Sequence, residues 1–218
     1  MWVLETKMRQ PQIAVIFVAV LLIVSATLHA QSAKNGYSSM PETQTPAPQI
    51  PPEVLRYLKD PVEESRQFDF LIGEWSVDAI RFREDGAPLF KYKALWSAVA
   101  LNGGRMVMDD FRALGPNGQA VSSFVTLRTY SEVTNRWELA GLQALQPSAP
   151  TDWHGVARDG EMLLDATAQT PAGGTVKTRI RFFNIQPDSF SWESTMSLDD
   201  GKNWRKTAEL AATRVARH

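Results

Sequence analysis

The fold is decided by two alternating segments separated by a turn, at residues 174–197, which read GTVKTRIRFFNIQPDSFSWESTMS. In the first segment, apolar residues including Val176 and Phe182 alternate with lysine and arginine. In the second, Phe190 and Trp192 alternate with serine and glutamate. A period of two is the pattern of a β-strand with one apolar and one polar face. The Gln-Pro-Asp sequence between the segments is typical of a turn. This stretch therefore predicts an antiparallel hairpin with an aromatic wall.

The same pattern of strand-like segments separated by turn sequences continues through the chain from Phe68 onward. Turn sequences rich in Gly, Asn, Asp and Pro recur after each segment of aromatic and β-branched residues, and no helical period is sustained. The predicted strands lie near 75–84, 89–101, 105–114, 119–130, 136–145, 152–158, 161–169, 174–184, 189–197 and 203–215. Short connections favour an antiparallel meander, and closing the meander removes its two exposed edges. We predict an all-β, antiparallel up-and-down barrel of about ten strands; an eight-stranded barrel with extra strands is the alternative.

The first thirty residues have the organisation of a signal peptide. Lys7 and Arg9 precede an apolar run over residues 13–28, and Ala30 follows as a small residue where signal peptidase cuts. The run is shorter than the ~20 residues that cross a bilayer, so a cleaved signal is favoured over an uncleaved anchor. We therefore expect a periplasmic or secreted protein that has no membrane association after cleavage. No cysteine is present, which excludes a lipoprotein anchor and disulfide bonds.

A Pro-rich segment over residues 31–62 separates the signal from the barrel domain, which we place at 63–218. Its Ser, Thr, Gln and Pro content is typical of a disordered, semi-rigid linker. Within it, Glu53 to Lys59 follows a proline and carries apolar residues on one side, which predicts a short helix. In a barrel, such a segment commonly covers one end.

Composition excludes several classes of function. The chain has 23 Lys and Arg against 24 Asp and Glu, with no basic cluster, so we expect no nucleic-acid partner. After signal removal only His154 and His218 remain, and without cysteine the supply of zinc ligands is poor. Phosphate-binding loops and nucleophile elbows are missing. We predict no metal site and no cofactor.

The opening of the domain resembles a known structural superfamily. The sequence FDFLIGEW at 68–75 carries the Gly-x-Trp entry typical of calycins, the lipocalins and fatty-acid-binding proteins. More closely, the chain resembles a bacterial family catalogued as domain of unknown function 1579. The further shared motifs are GGR at 103–105, PDSFSW at 187–192 and SLDDGKNW at 197–204, and the resemblance covers about 66–215. It implies a calycin-like barrel and no particular reaction.

The resemblance also implies roles for individual residues. In lipocalins the Gly-x-Trp indole packs under an arginine of the last strand, which implies that Trp75 stacks on Arg214, or on Arg205 as the alternative. SLDDGKNW resembles the Asp-box turn of β-propellers, in which the carboxylate accepts backbone hydrogen bonds. The heme-binding nitrobindins carry further glycines after the Trp and a late histidine, which this chain lacks. The residues expected to be structural are Gly73, Trp75, Asp199, Gly201, Trp204 and Arg214.

A ligand site is expected inside the barrel and at its mouth. Trp153 and His154 follow the longest loop, and Asp109 and Asp110 are neighbours on a strand, so they point to opposite faces. The inward acid needs a partner, such as Arg179 or Arg181. We hypothesise that the ligand-binding residues are Trp96, Asp110, Trp137, Trp153, His154 and Trp192.

Three functions fit this sequence. The first is a carrier or sensor that holds an apolar or aromatic molecule in the barrel. The second is an enzyme that performs acid–base chemistry on a small organic molecule with Asp110 and His154. The third is a filled barrel that serves as an interaction module without a ligand. Small inner residues such as Ala94, Ala98 and Gly141 favour a cavity over a filled interior.

Overall fold

Ten antiparallel strands form the protein in a computed structural model that describes residues 49–144, 151–169 and 173–215. The strands are β1 (Gly73–Phe82), β2 (Pro88–Leu101), β3 (Met106–Leu114), β4 (Ala120–Ser131), β5 (Arg136–Gln143), β6 (Thr151–Arg158), β7 (Glu161–Gln169), β8 (Thr175–Gln186), β9 (Ser189–Ser197) and β10 (Arg205–Arg214). Each strand pairs with its neighbours in sequence, and β1 also pairs with β10. The predicted all-β barrel of about ten strands is therefore confirmed.

Closure occurs between the first and last strands. Trp75 lies opposite Arg214 and Val77 opposite Ala212, in register along β1 and β10. Because closure leaves no free edge, the backbone groups of both end strands are paired within the sheet. The alternating sequence gives the sheet an apolar inner face and a polar outer face. In β1, odd-numbered residues from Trp75 to Ala79 are buried and their even-numbered neighbours face outward.

The N-terminal part includes the predicted helix. Helix α1 spans Pro52–Leu58, close to the predicted Glu53–Lys59. Its apolar side chains, including Tyr57, are exposed. Arg105, in the β2–β3 connection, donates to the carbonyl oxygens of Tyr57 and Lys59 and lies 4.8 Å from the Tyr57 ring centre. The helix therefore lies against that connection, and other residues close the barrel.

One end of the barrel is closed by a set of residues that we call the floor. Two short 3₁₀ helices, Glu63–Arg66 and Asp69–Leu71, precede β1 and pass under the strands. Buried rings pack there edge to face, with 4.8 Å between the ring centres in two of the pairs. The floor residues are Phe68, Phe70, Leu71, Trp75, Trp137 and Phe190. The role of covering this end, predicted for the helix at 53–59, thus belongs to residues 63–71.

Arg214 joins the floor to the barrel closure. Its guanidinium lies 4.1 Å from the Trp75 ring centre, the stacking that the calycin resemblance implies, and Arg205 is not at this position. It also donates to the carbonyl oxygens of Ile72 and Phe70. Gly73 has a φ of 128°, and a Cβ there would overlap the Arg214 guanidinium. The backbone conformation at 73 therefore favours glycine, and a larger residue would also displace the Arg214 guanidinium.

The signal peptide predicted at 1–30 lies outside the described residues, as does the linker up to residue 48. In the part that the structure describes, no helix is both long and apolar enough to span a bilayer.

Candidate functional site

Above the floor, the barrel interior contains a cavity of about 580 Å³, which we call the barrel cavity. Its lining runs from Trp96 and Phe182 near the floor to Phe90, Leu114 and Val121 at the opposite strand ends. We call those strand ends the mouth. Phe90 and Val121 are more than half exposed there. The interior is therefore filled at one end and hollow at the other.

Three buried side chains form a polar network between the floor and the barrel cavity. Trp96 Nε1 donates to Asp109 Oδ1 at 2.7 Å, and Arg128 Nη1 forms an ion pair with Asp109 Oδ2. Asp109 is 2% exposed and Arg128 is 3% exposed. The sheet register places them together, since β2, β3 and β4 are adjacent strands. Oδ1 of the buried carboxylate thus accepts a hydrogen bond, and Oδ2 contacts the Arg128 guanidinium as an ion pair.

The Arg128 guanidinium rests on the floor. Its Cζ lies 4.9 Å from the centre of the Phe68 ring, which covers one face of the guanidinium. Burial lowers the pKa of Arg128 to about 9, because a low-dielectric surrounding disfavours the charged form. The guanidinium therefore stays charged at neutral pH. Among the described residues, its Nε has no hydrogen-bond partner.

Aromatic and aliphatic side chains make up most of the wall of the barrel cavity, and eight of the lining residues are aromatic. Phe111 packs edge-on against Trp96, with 5.3 Å between the ring centres. Of the hydroxyl-bearing residues in the lining, Thr126 and Ser194 are the most buried. An apolar body with one or two polar groups is the kind of molecule that such a wall fits.

Small inner residues do not all create empty space. Gly141 was predicted to favour a cavity, but the Phe124 ring occupies the position where a Gly141 Cβ would lie. Ala94 and Ala98 are buried at 1% and 3% exposure and do not line the barrel cavity. The cavity is instead the volume left at the mouth end.

The structure brings three of the expected ligand-binding residues to the barrel cavity. Trp96, Trp153 and Trp192 all line it. Trp137 does not: it is fully buried in the floor, where its Nε1 donates to Gln67 Oε1 at 3.0 Å.

Asp110 and His154 lie on the outer face of the sheet. Asp110 Oδ1 accepts from Ser123 Oγ and its Oδ2 pairs with Arg112. His154 is exposed and lies opposite Glu138 on β5. Alternation explains both placements, because Asp109 and Trp153 are the inward members of their pairs. The structure does not bring Asp110 and His154 together.

The inward acid has a different partner from the predicted one. The prediction of Arg179 or Arg181 was wrong, because both lie on the outer face, where they pair with Asp165 and Glu161 respectively. The partner is Arg128, which the sequence analysis missed. A signal was available: Phe124, Thr126, Arg128 and Tyr130 share the inner face of β4, so one charge in that row had to find a buried partner.

The turn between β9 and β10 has the hydrogen bonds of the Asp-box resemblance. Asp199 Oδ1 accepts from the Asn203 backbone N–H at 2.9 Å and from Ser197 Oγ at 2.7 Å. Trp204 Nε1 donates to the Gly201 carbonyl at 3.0 Å. These contacts stay within the turn, which fits a structural role.

A second concavity, of about 650 Å³, lies on the outer wall across β9, β10, β1 and β2. Its charged side chains include Asp78 and Lys93, which pair with each other. It lies along the outer surface of the sheet, whereas the barrel cavity lies inside the barrel above the floor. In the described ranges no His, Cys, Asp and Glu side chains are grouped as metal ligands would be.

Comparison with known proteins identifies the fold. No family model and no curated protein matches the chain. Among solved structures it is similar to Rv2717c from M. tuberculosis, with 14% identity over 72% of this chain and 100% of that one, at a TM-score of 0.51. It is also similar to the S-type phycobiliprotein lyase CPES from Guillardia theta, with 12% identity over 72% of this chain and 100% of that one, at a TM-score of 0.47. The chain thus shares the fold of Rv2717c, and in this chain that fold is a closed, ten-stranded antiparallel barrel.

Proposed function

We propose that this protein binds an apolar or aromatic small molecule in the barrel cavity and serves as a carrier or sensor. The observation that carries the proposal is the hollow half of the barrel above a closed floor. Its volume of about 580 Å³ lies within the range of about 300–1,000 Å³ for small-molecule sites. The aromatic and aliphatic side chains supply apolar area, and the Trp96–Asp109–Arg128 network supplies a buried polar group near the floor.

The geometry favours binding over acid–base catalysis. A catalytic acid or base has to reach a proton on the substrate. Asp110 and His154 face outward, on the other side of the sheet from the barrel cavity. Asp109, which faces inward, already accepts from Trp96 and is ion-paired with Arg128. The described lining thus supports recognition rather than proton transfer.

Export and family membership belong to the same proposal. The signal-like residues 1–30 would direct the chain to the periplasm or the exterior, and the motifs at 68–75 and 197–204 would place it in the 1579 family. Mass spectrometry of the mature N-terminus tests export: we expect Gln31 as the first residue. An intact Met1 in the purified protein would contradict cleavage.

Native mass spectrometry of the protein purified from its own host's export compartment tests ligand binding. We expect a bound small molecule whose mass is lost on denaturation. A protein that is isolated without ligand and then binds none of a panel of uncharged aromatic compounds would contradict the proposal and favour a filled interaction module.

A cavity-filling substitution tests where the ligand lies. Ala113 lines the barrel cavity, so Ala113→Phe should occupy part of its volume. We expect binding of the fluorescent probe N-phenyl-1-naphthylamine to weaken at least about tenfold, a loss of roughly 1.4 kcal/mol. The matched control is Ala140→Phe, on the exposed outer face of β5. Equal affinity in both variants would exclude the barrel cavity as the binding site.

A further inference from the structure

We infer that the ligand is an uncharged molecule with a hydrogen-bond acceptor, such as a carbonyl oxygen, which the Arg128 guanidinium holds at the bottom of the barrel cavity. This inference rests on the proposed function and specifies the chemical class of the ligand.

Arg128 carries more N–H donors than the described residues provide acceptors for. A guanidinium carries five N–H groups, and the described residues supply one partner, the Asp109 carboxylate at Nη1. Nε and Nη1 are both buried and make no hydrogen bond within the described ranges, so the ion pair with Asp109 is the one polar contact recorded for the guanidinium there. An unpaired buried donor is costly, so an acceptor from outside the protein stabilises this arrangement.

The position of Arg128 leaves the barrel cavity as the source of that acceptor. Phe68 covers one face of the guanidinium from the floor side, and Asp109 occupies one edge. Arg128 lines the barrel cavity together with Trp96 and Thr126. A molecule that fills the cavity down to the floor therefore ends beside the guanidinium.

The charge balance selects an uncharged acceptor over a carboxylate. Asp109 already neutralises Arg128, and both are at most 3% exposed. The one other charged residue among the described lining is Arg81, which is exposed at the mouth. A carboxylate placed at Arg128 would add a buried negative charge beside Asp109 without a second cation. A ketone or amide oxygen accepts the charge-assisted hydrogen bond without that penalty.

Three probes that share one ring system test the inference: 2-isopropenylnaphthalene, 2-acetonaphthone and 2-naphthoate. They have similar size and differ in having no acceptor, a neutral acceptor and an anionic one. Quenching of tryptophan fluorescence gives their Kd values at pH 7, since Trp96 and Trp192 line the cavity. We expect the ketone to bind about tenfold more tightly than the alkene, as one hydrogen bond to a charged donor allows, and more tightly than the carboxylate.

The possible outcomes separate this inference from the proposed function. Equal affinities, or tightest binding of the carboxylate, would overturn the inference and leave small-molecule binding in place. No binding of any of the three probes would count against both.

A paired substitution tests whether Arg128 is the donor. In the double variant Asp109→Asn with Arg128→Met, which leaves no buried charge, we expect the preference for the ketone to disappear and alkene binding to persist. The matched control is the double variant Asp165→Asn with Arg179→Met, which removes a cross-strand ion pair from the outer face and should keep the preference. A preference that survives the first double variant, or that is lost in the control alone, would assign the contact to another residue.

An infrared measurement on the wild-type protein does not depend on the variants folding. The carbonyl stretching band of bound 2-acetonaphthone should lie below its position in an aprotic solvent, because a charged donor weakens the carbonyl bond. A band at the aprotic position would overturn the inference.

Discussion

At the scale of single residues, Arg128 places a buried positive charge in the barrel interior. Its side chain lies on the inner face of β4. The burial is tolerated because Arg128 forms an ion pair with Asp109, whose other carboxylate oxygen accepts a hydrogen bond from Trp96. Breaking a buried ion pair from one side leaves an uncompensated charge, whereas exposed pairs contribute little.

Replacing Arg128 alone should therefore destabilise the protein severely. We expect Arg128→Met to lower the free energy of unfolding by about 3–5 kcal/mol, measured by urea denaturation. The double variant with Asp109→Asn should lose less, because no charge is left unpaired. Arg112→Met is the control, since Arg112 pairs with Asp110 at a half-exposed position on the outer face of β3; its cost should stay below about 1 kcal/mol. Equal losses for Arg128→Met and Arg112→Met would show that the inner pair has no special role.

At the scale of elements, the Asp199 carboxylate accepts three of the hydrogen bonds that hold the β9–β10 turn. Hydrogen bonds from the Asn203 backbone N–H, the Asn203 side chain and Ser197 lower the pKa of Asp199 from 3.8 to about 2. A lowered pKa in the folded state means that the ionised form is favoured by folding. The stabilisation is therefore fully present above the unfolded pKa of 3.8 and is lost as the pH falls toward 2.

Asp199→Asn should remove this pH dependence. We expect the melting temperature of the wild-type protein to fall more steeply than that of the variant between about pH 4 and pH 2, the interval between the two pKa values. Asp200→Asn serves as the matched control, because Asp200 is the adjacent carboxylate and is mostly exposed beside Lys177. A carboxyl signal of Asp199 that titrates near 4 in NMR would contradict the expectation.

Strand positions were predictable because alternation and turn residues are local properties. β7 and β9 begin and end at the predicted residues, and the other strands differ from their predicted bounds by at most two residues at either end. The contact of Trp75 with Arg214 came from a resemblance, and it joins residues from opposite ends of the domain.

The contents of the barrel were less predictable, since they depend on where side chains meet across strands. Trp137 and Trp96 both face inward, yet one is part of the floor and the other lines the barrel cavity. The space beside Gly141 is filled by the Phe124 ring of the neighbouring strand, a contact that alternation does not reveal. Alternation shows that Asp109 and Arg128 each face inward, but their pairing depends on the register of β3 with β4.

In the whole molecule, the two ends of the barrel have different roles: the buried floor stabilises the fold, and the exposed mouth gives access to the proposed ligand site. The floor holds the fully buried residues Phe68, Leu71 and Trp75, whereas Phe90 and Val121 at the mouth are more than half exposed. Local opening is easiest where few apolar contacts are buried, and a ligand stabilises the parts that it touches.

Native-state hydrogen exchange should reveal this division. We expect amides of β1 and β10 near Trp75 and Arg214 to exchange only through global unfolding, because they lie over the floor and in the closing register. Amides of the β3–β4 hairpin near Val121 should exchange through local opening. Saturation with 2-acetonaphthone should raise protection at the mouth by more than it raises protection at the floor. Uniform protection in the free protein, or a ligand effect confined to the floor, would show that the barrel opens as one unit and that binding does not depend on a separately mobile mouth.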